Sequence, residues 1–235
     1  MFKFLAKKIF NIIPAESSLL LRAAQRYIDR YNGDNNSNSS TNGEEQFLRA
    51  ELSKLSGGGV VFDVGANVGE WTKYCLSVVP NLNIHLFEPS KNTFKKLQSN
   101  AWPKYIKLNN CGLGERKEQL NLNIAGDGLG VNSIHKRYGV KGVEMESVES
   151  IQIQTLDAYC EANSITHINL LKVDVEGHEL AVFKGSQNML GAKRISCIQF
   201  EYGGTYIDAG IKLKDIYSLL TCINYKIGQL YPKRI

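Results

Sequence analysis

Residues 59–70 read GVVFDVGANVGE, a short apolar run followed by a turn with two glycines. Gly59 to Phe62 have the character of a buried strand, and a helical pattern runs from Trp71 to Val79. Glycines let the backbone turn sharply and approach another group closely. A strand, a glycine turn and a helix in this order present backbone N–H groups to a ligand, so we expect a binding site here.

The acidic residues around this turn indicate which ligand it takes. The spacing G-x-N-x-G over Gly65, Asn67 and Gly69 differs from the dinucleotide and phosphate-loop motifs. Asp63, at the carboxyl end of the strand, would repel a pyrophosphate and attract a cationic ligand such as S-adenosylmethionine (SAM). Glu88 ends a second strand-like run nineteen residues after Gly69, where a carboxylate can accept both ribose hydroxyls. The alternative is a structural turn and a surface acid.

Three motifs resemble those of the FkbM family of SAM-dependent methyltransferases. They are DVGANVGEW (63–71), LFEPS (86–90) and LLKVDVEGHELAVFKG (170–185), of which VDVEGHE is the most specific. The similarity extends from about residue 45 to about residue 230. The resemblance implies an α/β, Rossmann-like class I methyltransferase with a mainly parallel central sheet and helices on both faces. It also implies methyl transfer from SAM, often to a hydroxyl of a sugar or natural product.

The order of strands and helices agrees with such a fold. From residue 59 the two alternate, which is typical of a mainly parallel sheet. The predicted strands are 59–64, 83–88, 105–110, 168–173, 195–200 and 224–231, and the predicted helices include 69–79, 90–100, 179–190 and 212–222. The class I fold normally adds one antiparallel strand beside the fifth, and we expect that last strand to be missing from this sequence.

Residues 116–155 interrupt the alternation. Apolar and polar residues alternate near 120–124 and 151–153, which predicts two edge or hairpin strands. The glycine-rich residues 126–133 lie between them. Such loops often cover sites, so we hypothesise that this one contacts substrate; the alternative is a plain connection.

Ionisable residues follow the fourth predicted strand, at the edge where this fold binds ligands. Asp174 and Glu176 lie two apart and face the same side if the chain is still extended. Close carboxylates raise one another's proton affinity, so one can act as a base. His178 could serve instead, since an unperturbed histidine titrates near pH 6.5. We predict that Asp174, Glu176 and His178 are catalytic; the alternative is that Glu176 and Glu179 only stabilise a helix N-terminus.

The remaining cofactor contacts are expected at the end of the third predicted strand. Cys111, Gly112 and Leu113 would border the adenine, unless they form an ordinary turn. The predicted cofactor-binding residues are Asp63, Gly65, Asn67, Gly69, Glu88, Cys111, Gly112, Leu113 and Asp174. Asp174 and Glu201, at neighbouring strand ends, could hold a divalent cation through their oxygens. Two acids are too few to indicate a metal, so we predict no metal site.

The chain is long enough for one α/β domain and an appendage. Residues 1–32 are basic and amphipathic, and they either pack on the catalytic domain or make weak peripheral contact with a membrane or a partner. Residues 33–43 are a polar linker, and residues 44–235 form the SAM-dependent methyltransferase domain. The net charge of +5, without aromatic residues between clustered basic ones, does not indicate nucleic-acid binding.

The cysteines and the hydropathy indicate a cytoplasmic protein. Five cysteines lie far apart with no C-x-x-C pair, which predicts reduced thiols. No apolar run approaches the length that spans a bilayer.

Two other functions share parts of this pattern. An NAD-dependent oxidoreductase has the strand, turn and helix, but it would need a third glycine and no Asp63. A non-catalytic module that binds SAM or a partner is the other. We expect a small-molecule or glycan acceptor, whose identity and the oligomeric state the sequence leaves open.

Overall fold

In a computed structural model of the chain, the described residues are 16–32, 36–55, 57–126, 130–136 and 147–231. The chain divides into two compact units, Met1–Leu48 with Gln229–Ile235, and Arg49–Gly228. The predicted segments 1–32, 33–43 and 44–235 stay a prediction, and residues 1–15 and 33–35 lie outside the described residues.

The first unit contains helices α1 (Ser18–Asn32) and α2 (Ser39–Asn42), and α3 (Glu44–Leu52) begins in it. Helix α2 lies within the predicted polar linker. Asn38 caps it by accepting a hydrogen bond from the Ser40 N–H, and Gly43 ends it in the left-handed conformation. Polar composition alone therefore missed a short capped helix.

The second unit is built on strands and helices that largely alternate. The strands are β1 (Val60–Val64), β2 (Asn83–Phe87), β3 (Lys107–Asn109), β4 (Gly112–Leu113), β5 (Glu118–Ile124), β6 (Ser147–Gln154), β7 (Ile168–Val173) and β8 (Ile195–Phe200). The helices are α4 (Glu70–Val78), α5 (Lys91–Gln98), α6 (Leu156–Ala162), α7 (Glu179–Lys184), α8 (Gln187–Gly191), α9 (Thr205–Ala209) and α10 (Leu213–Cys222).

A five-stranded parallel sheet in the order β3-β2-β1-β7-β8 organises this unit. Its three central strands, β2, β1 and β7, are largely buried, as the near-continuous apolar runs predict for a sheet covered on both faces. The order places the carboxyl ends of β1 and β7 side by side at the centre, where chain connections run in opposite directions and ligands bind. The α/β, Rossmann-like prediction is confirmed.

A second, three-stranded sheet has the order β4-β6-β5. Strand β5 pairs antiparallel with β6, as the alternating pattern predicted, and the short β4 pairs parallel with β6. Their inward residues make a separate small core of Leu122, Ile124, Ile151 and Ile153.

Two predicted elements differ from the structure. The described part of 224–231 contains no strand: Tyr225 and Ile227 pack on the core, and the Tyr225 hydroxyl donates to the Ile195 carbonyl at 2.7 Å, but no ladder forms. The predicted helix 179–190 is two helices, α7 and α8, and the chain turns between them at Gly185. Gly185 lies so close to Gly114 that a β-carbon on it would be 1.9 Å from the Gly114 carbonyl oxygen. A pattern of apolar residues does not show whether a segment has a neighbouring strand with which to form a ladder.

Candidate active site

The glycine turn between β1 and α4 is held by backbone contacts with two neighbouring strands. The N–H groups of Gly65 and Ala66 both donate to the Phe87 carbonyl at 3.0 Å, and the Asp174 N–H donates to the Val64 carbonyl at 3.0 Å. Gly65 has φ +84°, and a β-carbon on it would lie 1.8 Å from the Asp174 carbonyl oxygen. The sequence predicted that the glycine turn approaches another group closely, and in the structure Gly65 closely approaches the main chain at the end of β7.

The other two residues of the motif shape the turn. Asn67 and Gly69 also have positive φ, 50° and 87°. A β-carbon on Gly69 would lie 2.6 Å from the Trp102 ring, so this glycine is required by packing below the turn. The Asn67 N–H donates to the Glu88 carboxylate at 3.0 Å.

Glu88 is fixed against the turn by backbone donors. Its Oε2 accepts from Asn67 and its Oε1 accepts from the Ser90 N–H at 2.9 Å. Burial raises the pKa of Glu88 to about 7, against the opposing effect of these two hydrogen bonds. Each carboxylate oxygen can accept a second hydrogen bond. The residue therefore fits a ligand that offers paired hydroxyls, such as the ribose of SAM.

Asp63 is fully buried, which the sequence did not indicate. Its Oδ2 accepts from the Thr72 hydroxyl at 2.6 Å, and its Oδ1 lies 3.4 Å from the Lys172 ammonium. Its direct contact with the cofactor stays a prediction, because the carboxylate faces protein groups on both sides. An acid in this position acts on a ligand through its field and through its neighbours.

Lys172 is the residue that the sequence reasoning missed. It lies in β7 directly opposite Asp63 in the parallel register, and its ammonium is 3.2 Å from Asp174 Oδ2. A buried charge needs partners of opposite sign, and Lys172 is only 8% exposed. A lysine in a mostly apolar strand, two residues before an acid, was the available signal.

Asp174 and Glu176 come together with Glu201, and each offers one carboxylate oxygen that lies within 4.8 Å of the other two. Glu176 reaches this group because it and Gly177 both have positive φ, so the chain turns back after β7. Burial acts to raise the pKa of Asp174, but the Lys172 charge and hydrogen bonds from Glu201 and Lys172 together lower it. The Asp174 charge, followed by burial, raises the pKa of Glu201 to about 8.

This acid group can do either of two things chemically. Near neutral pH Glu201 holds a proton and hydrogen-bonds to ionised Asp174, so the pair can take up or release a proton. Three carboxylates are also suitable ligands for a divalent cation. The sequence named only Asp174 and Glu201 for that role, and its prediction of no metal site stays a prediction.

His178 lies at the start of α7, beside different neighbours. Its ring centroid is 6.2 Å from that of His135, and its Nε2 lies 3.0 Å from where a β-carbon on Gly114 would stand. Burial, followed by the charge of His135, lowers the pKa of His178 to about 4. The structure thus groups Asp174 with Glu176 and places His178 beside Gly114 and His135; the catalytic assignments stay predictions.

The described part of the glycine-rich loop lies near the glycine turn and contacts the residues after β7. The Ser133 hydroxyl donates to the Glu176 carbonyl at 2.7 Å and accepts from the His135 N–H at 3.1 Å. A β-carbon on Gly130 would lie 3.7 Å from Asn67 Nδ2. Residues 127–129 are outside the described residues. The contacts with Asn67 and Glu176 support the hypothesis that this loop borders a substrate.

The three residues predicted beside the adenine are engaged with the protein. Cys111 Sγ accepts a hydrogen bond from Gln154 Nε2 at 3.0 Å, and a β-carbon on Gly112 would lie 2.7 Å from the Ile153 side chain. Leu113 belongs to the main core and is 1% exposed. Their place beside the adenine stays a prediction. The Leu113 side chain is buried and is not exposed to a ligand.

Comparison with known proteins gives a match to a family model described as the methyltransferase FkbM domain, over residues 63–227. That range begins at Asp63 and includes the acid group and His178. Among curated proteins, the chain is 28% identical to hexuronic acid methyltransferase AglP of Haloferax volcanii over 179 residues, which are 76% of this chain and 68% of that protein.

Two further relatives are also named as methyltransferases. The 31-O-demethyl-FK506 methyltransferase FkbM of Streptomyces tacrolimicus is 26% identical, with 62% of this chain and 70% of that protein covered. The 2-O-methyltransferase NoeI of Sinorhizobium fredii is 24% identical, with 75% and 76% covered. Among solved structures, the plantazolicin methyltransferase BpumL in complex with SAH matches with a TM-score of 0.39 and 12% identity, over 77% of this chain and 62% of that one.

Proposed function

The chain belongs to the FkbM family of methyltransferases, and from this membership we propose that it methylates a hydroxyl oxygen of a sugar or a sugar-like natural product. It is a methyltransferase whose methyl donor is SAM, as the sequence motifs predicted. The family match supports this function over the two alternatives, an NAD-dependent oxidoreductase and a module without catalytic activity.

One observation supports the proposal most strongly. The glycine turn at 65–69, the Glu88 carboxylate and the acids after β7 meet at the carboxyl ends of three adjacent strands, β2, β1 and β7. A ligand that carries both hydroxyl groups and positive charge finds acceptors for each at this edge.

SAM supplies an electrophilic methyl group when it is bound. Glu88, held by the Asn67 and Ser90 N–H groups, would accept hydrogen bonds from the ribose. The carboxylates of Asp174 and Glu176 bring negative charge to the adjacent strand end, where they attract a cationic ligand and can hold the proton of an acceptor hydroxyl. Positioning of the acceptor oxygen supplies much of the remaining rate acceleration.

The acceptor class rests on what the relatives are named for. One relative is named for hexuronic acid, and two are named for methylation at numbered oxygen positions. We propose a hydroxyl acceptor for this chain on that basis, with the loop at 130–136 as one wall of its site.

The acceptor can be tested with SAM labelled in its methyl group. The chain is incubated with methyl glucuronide, methyl glucoside or the fully O-methylated form of each as matched controls. Label on the free sugars and none on the O-methylated controls supports the proposal. No label on either free sugar, or equal label on the O-methylated controls, contradicts it.

We also propose a cytoplasmic location and weak peripheral contact with an anionic membrane. All five cysteines are free thiols, which is typical of a reducing compartment. Among the described residues, no helix is both long and apolar enough to span a membrane.

Helix α1 supports the membrane contact. Leu20, Tyr27 and Ile28 lie on one face and are exposed, with Tyr27 71% exposed, whereas Arg22 and Arg26 lie on another face. Residues 1–32 carry six basic and two acidic side chains, so they account for most of the net charge of +5. A basic helix with an exposed apolar face suits an anionic lipid surface.

A further inference from the structure

We infer that Lys172 is a positioning residue of the cofactor site, which holds the Asp174 carboxylate in the orientation that binds SAM. The inference rests on the proposed function, because it takes the edge of β1 and β7 as the SAM site. Lys172 itself contacts the protein and acts on the ligand only through Asp174.

The register of the sheet brings the three charged residues together. Asp63 in β1 pairs directly with Lys172 in the parallel β1–β7 ladder, so their side chains leave the same face of the sheet. Asp174 follows Lys172 by two residues at the end of β7, which returns its side chain to that face while the chain is extended. A lysine at this register therefore lies between two acids.

The contacts of the ammonium fix its place. Lys172 Nζ lies 3.4 Å from Asp63 Oδ1, 3.2 Å from Asp174 Oδ2 and 3.5 Å from the Gly65 carbonyl oxygen. It also lies 5.8 Å from the centroid of the Trp71 ring. An ammonium has three N–H donors, and these three oxygens lie within reach of them. Lys172 thus ties the buried Asp63 and the glycine turn to an acid at the mouth of the site.

The solvent exposure of the two acids differs, and this difference gives the direction of the effect. The Asp63 side chain is 0% exposed, whereas that of Asp174 is 33% exposed. Asp63 anchors the ammonium inside the protein, and the ammonium holds one oxygen of Asp174. That anchor, together with the hydrogen bond between Glu201 and Asp174, sets the direction of the Asp174 carboxylate.

Charge and orientation predict opposite results when Lys172 is removed. SAM is cationic, so the loss of a nearby positive charge would by itself tighten its binding. If Lys172 instead orients Asp174, its loss weakens binding. A variant that leaves the net charge unchanged separates the two effects.

The double variant Asp63→Asn/Lys172→Met removes one negative and one positive charge and leaves no unpaired acid at position 63. We expect SAM to bind about tenfold more weakly to it in a calorimetric titration, because an Asp174 hydrogen bond to a charged group is no longer aligned. The matched control is Glu51→Gln/Lys54→Met, which removes an exposed lysine–glutamate pair of 2.6 Å with the same charge balance. Its SAM affinity should equal that of the wild type.

The decisive comparison repeats the double variant on an Asp174→Asn background. If Lys172 acts through Asp174, the two changes at Asp63 and Lys172 have no further effect on SAM affinity there. An equal loss on both backgrounds, or unchanged or tighter binding of the double variant, overturns the inference. If the wild type itself does not bind SAM, the proposed function fails instead.

A second variant covers the case in which the double variant does not fold. Lys172→Arg keeps the charge but moves the donor atoms. Weaker SAM binding, lost on the Asp174→Asn background, supports the inference. Wild-type SAM affinity in a folded Lys172→Arg protein overturns it.

Discussion

A β-carbon added to Gly65 would lie 1.8 Å from the main-chain oxygen of Asp174, so these two residues bring the ends of β1 and β7 into direct backbone contact. The motif glycine is therefore needed for the packing of two central strands, as well as for access of a ligand. Substitution of Gly65 should therefore lower the free energy of unfolding by more than a positive φ alone explains.

Gly65→Ala should destabilise the protein far more than Gly210→Ala. Both glycines have positive φ, +84° and +67°, but a β-carbon at Gly210 would have nothing within 4 Å. Gly210→Ala should cost about 1–2 kcal/mol of the free energy of unfolding, the cost of a left-handed residue. Urea unfolding of both variants measures the difference. Equal losses of unfolding free energy would show that the Asp174 carbonyl can move aside at no cost in stability.

The pH dependence of stability should identify Glu88 as a buried acid. Its pKa is raised from 4.5 to about 7, chiefly by burial, so its folded form prefers the proton. The stability that this group contributes is complete below pH 4.5 and is lost as the pH rises through about 7. Relative to Glu88→Gln, the wild type should therefore lose at most about 3 kcal/mol between pH 5 and pH 8.

The same residue should act in the opposite direction on SAM binding. The ionised carboxylate is the better acceptor for ribose hydroxyls, so wild-type SAM affinity should rise with pH through about 7. Glu88→Gln should bind SAM more weakly and lose this dependence. Different stability profiles together with equal SAM affinities would show that Glu88 is a structural acid only.

The proton acceptor should be the acid pair Asp174 and Glu201 rather than His178. A general base must be deprotonated and works best with a pKa near the working pH. The pKa of Glu201 is raised to about 8, first by the Asp174 charge, so the pair becomes a strong proton acceptor as Glu201 ionises on a rise of pH through about 8, whereas burial lowers the pKa of His178 to about 4. With an acceptor identified, Asp174→Asn should reduce turnover by about a hundredfold or more, and His178→Gln by much less.

Two results would change that assignment. A large loss of turnover in His178→Gln with unchanged SAM affinity would make His178 the base. Loss of activity in EDTA, restored by Mg²⁺, would show that Asp174, Glu176 and Glu201 bind a metal.

Helix α1 should bind anionic vesicles through its exposed apolar face. Flotation with vesicles that contain phosphatidylserine should recover the intact chain, and high salt or uncharged vesicles should weaken the recovery. Leu20→Gln/Tyr27→Gln should abolish it, whereas Gln25→Ala, on the polar face, should not. Absence of binding by the wild type, or loss of a dimer in the apolar-face variant, would assign the helix to protein contacts.

The strands and the glycine turn could be predicted because their signals are local. Apolar runs that end in Asp63, Glu88 and Asp174 marked the carboxyl ends of the strands, and the alternation of strands and helices indicated a parallel sheet. The motifs also indicated the family that the match over residues 63–227 confirms. These features depend on residues close together in the chain.

The site details depended on pairings between distant segments. Lys172 gained its role from its register with Asp63, more than a hundred residues away. Glu176 joined Glu201 because two residues of positive φ reverse the chain after β7. Neither a sheet register nor a left-handed non-glycine residue is visible in a hydrophobic pattern.

Calorimetric titration of the purified chain with SAM, and separately with NAD, tests the central claim most directly. The glycine turn, Glu88 and the acids after β7 should bind SAM in one-to-one stoichiometry, Glu88→Ala should weaken that binding by about 1.5–3 kcal/mol, and NAD should give no heat of binding. Heat with NAD and none with SAM would contradict the assignment of this edge of the sheet as a SAM site.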